Sequence, residues 1–329
     1  MLKSKLDWES AAGILRTLDN VLILTHVRPD GDALGSALGL GTWMRDNGKH
    51  AQIFLPEAVP DKYAGWVHQT EHCTELPPGG LGKFDASIVL DCARTERIAT
   101  GGADLFAPGA PQILNIDHHA DSNVPAEQNF VVPDAAATCE VLAGLVRMLG
   151  GKVSPLAATY FLMGMSTDTG SFRFDNTKPE TLRTAANLLE QGADLNGIVR
   201  HVYFSKSRNQ QLFEAEMIQH CSQVALDGRY AWAALPEELF QKYNFSMRDG
   251  EMLIEYLREL QGVVIAALLY PVPGGVKFSL RSKDPRISVG SIARKSGGGG
   301  HELAAGATIA GCTLREAEEF LKKEVSALL

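Results

Sequence analysis

The sequence has few cysteines and no long hydrophobic run. Its 329 residues include five cysteines, which are widely scattered and form no CxxC pair. This argues against a disulfide framework or a zinc ribbon and fits a reducing cytosol. No run of about 18 apolar residues occurs, so no transmembrane helix is predicted, and the N-terminal segment has no apolar signal core. We therefore expect a cytoplasmic protein that does not bind membranes.

The sequence also lacks an excess of basic residues. It contains 31 Lys and Arg residues against 39 Asp and Glu residues, which gives a formal net charge of −8. Affinity for long nucleic acid comes mostly from many contacts between Lys or Arg and phosphates. We therefore expect no long duplex nucleic acid as a partner, although a basic or metal-lined pocket for a short phosphate ligand is compatible with this charge.

Apolar runs alternate with amphipathic segments through the first half of the chain. Hydrophobic residues make up 45% of the sequence, enough for a large core, and the length suggests about two domains. The alternation predicts an α/β fold with a doubly wound, mainly parallel sheet, which binds ligands at the carboxyl ends of its strands. The predicted strands are 20–26, 51–55, 84–91 and 112–116, a loop is predicted at 77–80, and the predicted helices are 7–18, 33–47, 138–149, 155–165 and 179–191.

The second half has the pattern of a smaller α/β domain. Residues 193–225 are polar, and we interpret them as a linker that contains one long helix. We therefore divide the chain into a first domain over 1–192, a helical linker over 193–225 and a second domain over 226–329. In the second domain the predicted strands begin at 230, 263 and 276, and the predicted helices are 248–260, 288–295 and 314–328, the last capped by Thr313.

Three predicted strands end in polar, chemically active residues. They end in His26, in Asp91 and in the tripeptide Asp117-His118-His119. A carboxylate and two imidazoles at the end of a buried strand are costly unless a metal or a phosphate satisfies them. Because the carboxyl ends of parallel strands meet at one edge of a sheet, these residues predict one shared site.

The spacing of further carboxylates indicates divalent metal. His26 is followed by Asp30 and Asp32, with Gly31 allowing both carboxylates to face one cation, and Asp168 lies in a predicted loop of small residues. Six ligands of mixed nitrogen and oxygen type suit Mn²⁺, Co²⁺ or Zn²⁺ better than Mg²⁺. They exceed one tetrahedral site and suit two metals that share a bridging carboxylate. Taken singly, the turn at 26–32 could be solvated, and Asp91 or Asp168 could be a helix cap.

A run of four glycines, Gly297, Gly298, Gly299 and Gly300, precedes His301 near the end of the chain. One interpretation is a flexible linker. The other is a cradle of backbone N–H groups around an anion, to which Arg281 at the end of a predicted strand would add a bidentate phosphate contact.

Taken together, the motifs resemble those of the DHH phosphoesterase superfamily. The resemblance rests on THVRPDGD at 25–32, LDCAR at 90–94, NIDHH at 115–119 and STDTGSF at 166–172. SLRS at 279–282 and GGGGHELAAGA at 297–307 are similar to the DHHA1 domain of that superfamily. The length and the second domain resemble the group of bifunctional oligoribonucleases and pAp phosphatases.

The resemblance implies a role for each residue and an active site in a cleft between a DHH domain and a DHHA1 domain. Asp91 would bridge two divalent ions, most plausibly Mn²⁺, while His119 contacts the substrate phosphate and Asp117 orients the histidines. Arg281, the glycine run and His301 would bind the nucleotide or its phosphate. The implied catalytic residues are His119, Asp91 and Asp117, and the implied metal ligands are His26, Asp30 and Asp91 for one ion and Asp32, Asp91, His118 and Asp168 for the other.

The reaction implied is hydrolysis of RNA of two to five nucleotides, including linear dinucleotides, or removal of the 3′-phosphate of pAp, through a hydroxide bridging the two metals. A manganese-dependent pyrophosphatase or polyphosphatase of the same superfamily is one alternative, and a single-strand exonuclease is another. An alternative of a different class is a catalytically silent nucleotide-binding regulator. A homodimer is expected from the resemblance alone.

Overall fold

The computed structural model describes residues 6–76, 81–101, 104–247, 250 and 253–329. The chain divides into two compact units, Met1–Ser205 and Lys206–Leu329, and each is described by itself. The predicted loop at 77–80 and the predicted start of a helix at residue 248 lie outside the described residues. Within the described ranges, no helix is both long and apolar enough to cross a membrane.

The first unit contains a five-stranded sheet in which every pair of neighbouring strands is parallel. This confirms the predicted parallel α/β architecture. The last strand escapes prediction because Gln128 and Asn129 interrupt its short apolar pattern. In the spatial order β2-β1-β3-β4-β5, the strands are β1 Asn20–Leu24, β2 His50–Ile53, β3 Ala86–Leu90, β4 Gln112–Asp117 and β5 Gln128–Val131.

Both faces of this sheet are buried, as expected for a parallel sheet. Ile23, Ile88 and Ile116 point into the large apolar cluster formed with the helices, while their neighbours Leu22 and Val89 point to the opposite face. The opposite face is covered by side chains from connecting segments. The helices of this unit are α1 Trp8–Thr17, α2 Gly31–Asp46, α3 Asp61–Val67, α4 Thr138–Leu149, α5 Pro155–Asp168, α6 Pro179–Glu190 and α7 Leu195–Ile198.

Helices α2 and α5 lie in close contact because α2 has small residues on the face toward α5. A Cβ atom added to Gly35 would lie 2.5 Å from the carbonyl oxygen of Tyr160, and one added to Gly39 would lie 2.6 Å from the ring of Phe161. Side chains at these two positions would therefore prevent the close contact. The side chain of Asp30 caps α2 by accepting the N–H groups of Asp32 and Ala33 at 3.1 Å, so Asp32 lies in the first turn.

Helix α5 is longer than predicted. The sequence predicts a helix over 155–165 followed by a loop that carries Asp168, whereas α5 continues to Asp168 itself. The prediction of a loop at Asp168 is therefore wrong. Thr167 stays helical because its hydroxyl donates to the carbonyl oxygens of Met163 and Gly164, as threonines within helices can.

The second unit contains a six-stranded mixed sheet in the order β10-β11-β9-β8-β7-β6. Only the β7–β8 pair is parallel among its described strands. The strands are β6 Ser222–Ala225, β7 Tyr230–Ala234, β8 Ile265–Val272, β9 Gly275–Ser282, β10 Gly299–His301 and β11 Ala304–Ala310, and the helices are α8 Arg208–Glu216, α9 Glu237–Tyr243, α10 Leu253–Arg258, α11 Gly290–Lys295 and α12 Leu314–Ser326.

Residues 193–225 do not form one long helix. Helix α7 continues through a wider turn at Val199–Tyr203, and a new helix, α8, begins where the side chain of Ser207 accepts the N–H of Gln210. A second wide turn at Met217–Cys221 then leads into β6. The single helix is therefore a wrong prediction, because Ser207 caps a separate helix. The three-part division of the chain stays a prediction, and Thr313 caps α12 as predicted.

Candidate metal centre

The polar residues predicted from the strand ends lie at one edge of the first sheet. His26 and Asp91 follow β1 and β3, and Asp117 is the last residue of β4. The first turn of α2 and the last residue of α5 bring Asp32 and Asp168 to the same place. Among the described residues of this unit, three groups of side chains could hold a metal ion: His26, Asp30 and Asp91; Asp32, His118 and Asp168; and Asp91, Asp117 and His119.

The first group has the spacing of ligands around one cation. The Nε2 atom of His26 lies 3.9 Å from Oδ2 of Asp30 and 3.8 Å from Oδ2 of Asp91. Two ligand atoms that are each about 2.1 Å from one ion are separated by about 3–4 Å. The distances therefore fit one divalent ion between the three side chains.

The second group has similar spacing and lies beside Asp91 of the first group. The Nε2 atom of His118 lies 3.6 Å from Oδ2 of Asp168 and 3.7 Å from Oδ1 of Asp91. Asp91 thus turns Oδ2 toward His26 and Oδ1 toward His118. This orientation matches a carboxylate that gives one oxygen to each of two ions.

Backbone carbonyls fix which nitrogen of each histidine faces the carboxylates. Nδ1 of His118 lies 3.3 Å from the carbonyl oxygen of Ala135, and Nδ1 of His26 lies 2.9 Å from that of Val27. A carbonyl oxygen can only accept, so the contact of His118 with Ala135 requires Nδ1–H and leaves its lone pair on Nε2. Nε2 of His118 is therefore in the chemical form that binds a metal.

A nearby arginine was not found by sequence reasoning. Nη2 of Arg97 lies 3.1 Å from Nδ1 of His26, which already faces the carbonyl of Val27. Arg97 follows the LDCAR segment by three positions but belongs to no spacing pattern that would have indicated it. Its positive charge helps to hold the pKa of Asp30 below its usual value, although burial acts in the opposite direction and the nearer His26 contributes more.

In the tripeptide at the end of β4, Asp117 holds both histidines by hydrogen bonds. Oδ1 of Asp117 accepts the backbone N–H groups of His118 at 2.8 Å and His119 at 3.1 Å, and it lies 2.7 Å from Nδ1 of His119. Asp117 is completely buried beneath both histidines. These contacts orient His118 toward Asp168 and hold the ring of His119 against Asp117.

Burial and mutual repulsion make the ionised forms of Asp32 and Asp91 unfavourable without a cation. Burial raises the pKa of Asp91 well above its ordinary value, and the charges of Asp32 and Asp30 raise it further. Burial, with the charges of Asp168 and Asp30, raises the pKa of Asp32 to about 7. A divalent cation would remove this repulsion. The mixed oxygen and nitrogen donors therefore fit a divalent metal ion.

Asp91 and Asp168 are both held in positions that cost free energy. Asp91 has φ of 54°, a left-handed conformation that is unfavourable for a residue other than glycine. Asp168 occupies the carboxyl end of α5, where the helix dipole disfavours negative charge. Gly170, Ser171 and Phe172 follow it with positive φ and end the helix there. Strained residues of this kind are concentrated at functional sites.

The STDTGSF motif also positions an aromatic residue. The sequence leaves open whether Phe172 stacks on a base or packs in the core. Phe172 is partly buried and packs against the apolar cluster of the first unit, and its N–H donates to the hydroxyl of Thr169 at 2.9 Å. These contacts favour the packing role.

In the second unit, three of the predicted substrate-binding residues, Arg281, Gly299 and His301, lie on one face of the sheet. Arg281 pairs with Ala304, and Ala304 pairs with His301, so these three residues form one row across β9, β11 and β10. The next row of the same face contains Gly306 and Gly299. Small residues thus leave the face open between Arg281 and His301.

The glycine run is not a flexible linker. Gly299 and Gly300 pair with β11, so two of the four glycines are part of a sheet. Gly300 has φ of 122°, and a Cβ added to Gly298 would lie 2.2 Å from the carbonyl oxygen of Gly306. These positions therefore require glycine for backbone conformation and close packing.

A buried glutamate beside Arg281 was also missed by sequence reasoning. Oε1 of Glu255 lies 3.7 Å from Nε of Arg281, and its other oxygen lies 3.5 Å from Nη1 of Arg258. Glu255 is 6% exposed and comes from α10, which contains none of the motifs. It provides a fixed negative charge that orients the guanidinium of Arg281.

Comparisons with known proteins agree with this organisation. Residues 20–165 match the model of the DHH family, N-terminal domain, and residues 228–329 match that of the DHHA1 domain. The bifunctional oligoribonuclease and PAP phosphatase NrnA of Thermus thermophilus is 34% identical, over 97% of this chain and 94% of that protein. The Bacillus subtilis protein of the same name is 27% identical, over 90% and 92%.

A solved structure shows the same fold. An exopolyphosphatase-related protein from Bacteroides fragilis superposes with a TM-score of 0.84 at 24% identity. The superposition covers 97% of this chain and 96% of that one. At this identity the likeness establishes the arrangement of strands and helices and says nothing of substrate.

Proposed function

Because the chain belongs to the DHH family, we propose that it hydrolyses RNA of two to five nucleotides, including linear dinucleotides, to mononucleotides and removes the 3′-phosphate of pAp. Relatives named bifunctional oligoribonuclease and PAP phosphatase align along nearly the whole chain. The protein is accordingly a hydrolase that acts on phosphoester bonds. The observation that carries the proposal is Asp91, which directs one oxygen to each of two groups of potential metal ligands.

Six side chains of the first unit would hold two divalent ions, for which we propose Mn²⁺. When bound, such ions lower the pKa of a water molecule and neutralise charge on the phosphoryl oxygens. His118 presents the lone pair of Nε2 because its Nδ1–H faces the carbonyl of Ala135, and His26 directs its Nε2 toward Asp30 and Asp91. Asp91 would join the two ions, and the remaining ligands would be Asp30 for one ion and Asp32 and Asp168 for the other.

His119 would bind a non-bridging phosphoryl oxygen. Burial favours its neutral form, but the hydrogen bond to Asp117 and the charge of Asp91 outweigh burial and raise the pKa of His119 to about 10. In the metal-free protein His119 is therefore an imidazolium at neutral pH. It would donate to the phosphate and stabilise charge that develops during hydrolysis.

The second unit would bind the nucleotide part of the substrate. Arg281 and His301 are two donors in one row of the sheet, and the glycines and alanines between them have little or no side chain. Phosphate oxygens would accept from Arg281, and the open strip would accommodate the rest of the nucleotide. The cytoplasmic location and the homodimer stay predictions.

A panel of three substrates tests the proposed function. Pyrophosphate, pAp and a 5′-labelled dinucleotide would each be incubated with the protein and Mn²⁺, and phosphate or mononucleotide release would be measured. We expect turnover of the dinucleotide, of pAp or of both. Turnover of pyrophosphate alone would favour a pyrophosphatase instead. Binding without turnover of any substrate would favour a nucleotide-binding regulator.

A further inference from the structure

The first turn of α4 contacts two of the proposed metal ligands. The backbone N–H groups of Thr138 and Cys139 donate to Oδ2 and Oδ1 of Asp32, at 2.7 and 3.0 Å. The hydroxyl of Thr138 donates to Oδ1 of Asp91 at 3.0 Å. Ala137 occupies the N-cap position and has no side-chain acceptor, so a carboxylate from α2 takes the place of a local cap.

Thr138 makes the two oxygens of Asp91 inequivalent. Its hydroxyl lies on Oδ1, the oxygen 3.7 Å from Nε2 of His118, while Oδ2 lies 3.8 Å from Nε2 of His26. Rotation of the Asp91 carboxylate would break the hydrogen bond and misdirect both oxygens. Threonine suits this task because branching at Cβ restricts its side chain to few orientations.

We propose that Thr138 is a positioning residue for both halves of the metal centre, an inference that rests on the proposed function. Its hydroxyl sets the rotation of the bridging Asp91, and its N–H, with that of Cys139, fixes Asp32. All three side chains of this arrangement, Thr138, Asp32 and Asp91, are at most 2% exposed. Thr138 touches neither substrate nor metal in this proposal and acts through the two carboxylates.

The contacts also hold the carboxylates in place before metal binds. Asp32 and Asp91 repel each other when both are ionised. The amino end of a helix carries partial positive charge, which favours carboxylates placed there. The two N–H groups and the hydroxyl donate to three of the four carboxylate oxygens of Asp32 and Asp91. Binding of the ions then requires little rearrangement of these ligands.

The same helix supplies a matched control. Glu140 is also buried, and its Oε2 accepts the hydroxyl of Thr181 at 3.1 Å and the N–H of Ala136 at 2.7 Å. This is the same pairing of a threonine hydroxyl with a buried carboxylate near the start of α4, but Glu140 is in none of the potential ligand groups. Thr181→Val therefore removes this hydrogen bond, together with the one that the hydroxyl accepts from the N–H of Lys178, without touching a proposed ligand.

The test measures Mn²⁺ binding to the full-length, metal-free protein, with substrate absent. Free Mn²⁺ would be quantified by EPR during titration of the wild type and of Thr138→Val, Thr138→Ser and Thr181→Val. We expect Thr138→Val to weaken Mn²⁺ binding by about 10- to 100-fold, the usual effect of losing a partner of a metal ligand. Thr138→Ser keeps the hydroxyl and should bind within about threefold of the wild type, as should Thr181→Val. Urea unfolding in EDTA would check that each variant folds.

Three results would overturn the inference. The first is wild-type Mn²⁺ affinity in Thr138→Val. The second is equal weakening in Thr138→Ser and Thr138→Val, which would show that the effect does not depend on the hydroxyl. The third is equal weakening in Thr181→Val, which would assign it to loss of helix stability. Failure of the wild type to bind Mn²⁺ would instead refute the proposed function.

Discussion

Nδ1 of His119 lies 2.7 Å from Oδ1 of Asp117, the same oxygen that accepts the backbone N–H of His119. One buried carboxylate oxygen therefore fixes both the backbone and the ring of the residue that faces the proposed phosphate site. The pairing also stabilises the imidazolium against the effect of burial. Orientation and charge of His119 thus depend on the same partner.

Asp117→Asn should separate the effect of Asp117 on the orientation of His119 from its effect on the charge of His119, because asparagine keeps the shape of the side chain but has no charge. The pKa of His119 should fall from about 10 toward its ordinary value of 6.5. Since only the protonated ring donates to phosphate, we expect turnover to fall by about 100-fold at pH 8 and the high-pH limb of the profile to move to lower pH. The measurement is kcat/KM for a dinucleotide from pH 5.5 to 10. An unchanged high-pH limb would contradict the role given to the pair.

Asp91→Asn should abolish activity and stabilise the metal-free protein. Asp91 is buried, and its raised pKa means that its ionised form destabilises the folded chain above the unfolded-state pKa. Asparagine removes that charge, so in EDTA at pH 8 we expect Tm to rise by about 2–4 °C. Mn²⁺ should raise the Tm of the wild type but not that of the variant, and turnover of the variant should be lost. Scanning calorimetry with and without Mn²⁺ would show both effects, and retention of full turnover would refute the bridging role of Asp91.

The sequence predicts the strands and the residues at their ends because both depend on local pattern. Apolar runs mark β1, β3 and β4, and parallel pairing brings His26, Asp91 and Asp117 to one edge. Thr138 was not predictable, since its partners lie 106 and 47 positions away and it follows no motif. The continuation of α5 to Asp168 was missed because the serine and threonine before it are typical of loops. In the structure the hydroxyl of Thr167 donates to carbonyls within the helix.

Binding of metal should depend on pH through Asp32. In the metal-free protein its pKa is raised from 3.8 to about 7, so the carboxyl is protonated below pH 7 and must lose that proton to bind a cation. The apparent dissociation constant for Mn²⁺ should therefore rise as the pH falls below 7, by up to about tenfold per pH unit. The raised pKa also means that the metal-free protein loses stability as the pH rises from about 4 to 7.

Calorimetric titration with Mn²⁺ at pH 6 and pH 8, in buffers of different ionisation enthalpy, would count the protons released. We expect about one proton more at pH 6 than at pH 8. The variant Asp32→Asn provides the control, because it has no carboxyl group to deprotonate and should lose the difference between the two pH values. Equal release at both pH values by the wild type would show that Asp32 is already ionised at pH 6.

Gly298→Ala should damage the second unit, because the new Cβ would lie 2.2 Å from the carbonyl oxygen of Gly306 and 2.4 Å from Cβ of Ala307. Separation of β10 from β11 would relieve the contact and displace His301. We expect the free energy of unfolding to fall by about 1–3 kcal/mol and KM for a dinucleotide to rise. Gly13→Ala in α1 is the control, since its Cβ would meet no atom within 4 Å. Wild-type stability and KM in Gly298→Ala would show that the strand tolerates a side chain.

Glu255→Gln should weaken substrate binding through Arg281 while leaving the metal centre intact. The buried carboxylate lies 3.7 Å from Nε of Arg281, and its charge restricts where the guanidinium points. Glutamine keeps the size and polarity of the side chain but not the charge, so Arg281 should be held less firmly. We expect KM for a dinucleotide to rise by about three- to tenfold, with kcat changed by less than twofold, because the loss is in binding rather than in the chemical step. Glu319→Gln, which removes an exposed ion pair with Arg315 on α12, should change neither constant.

If Arg281 binds the phosphate as proposed, Arg281→Lys should raise KM as well, and Glu255→Gln should add little to it, since both substitutions would remove the same contact. Additive effects of the two substitutions would show that Glu255 does not act through Arg281.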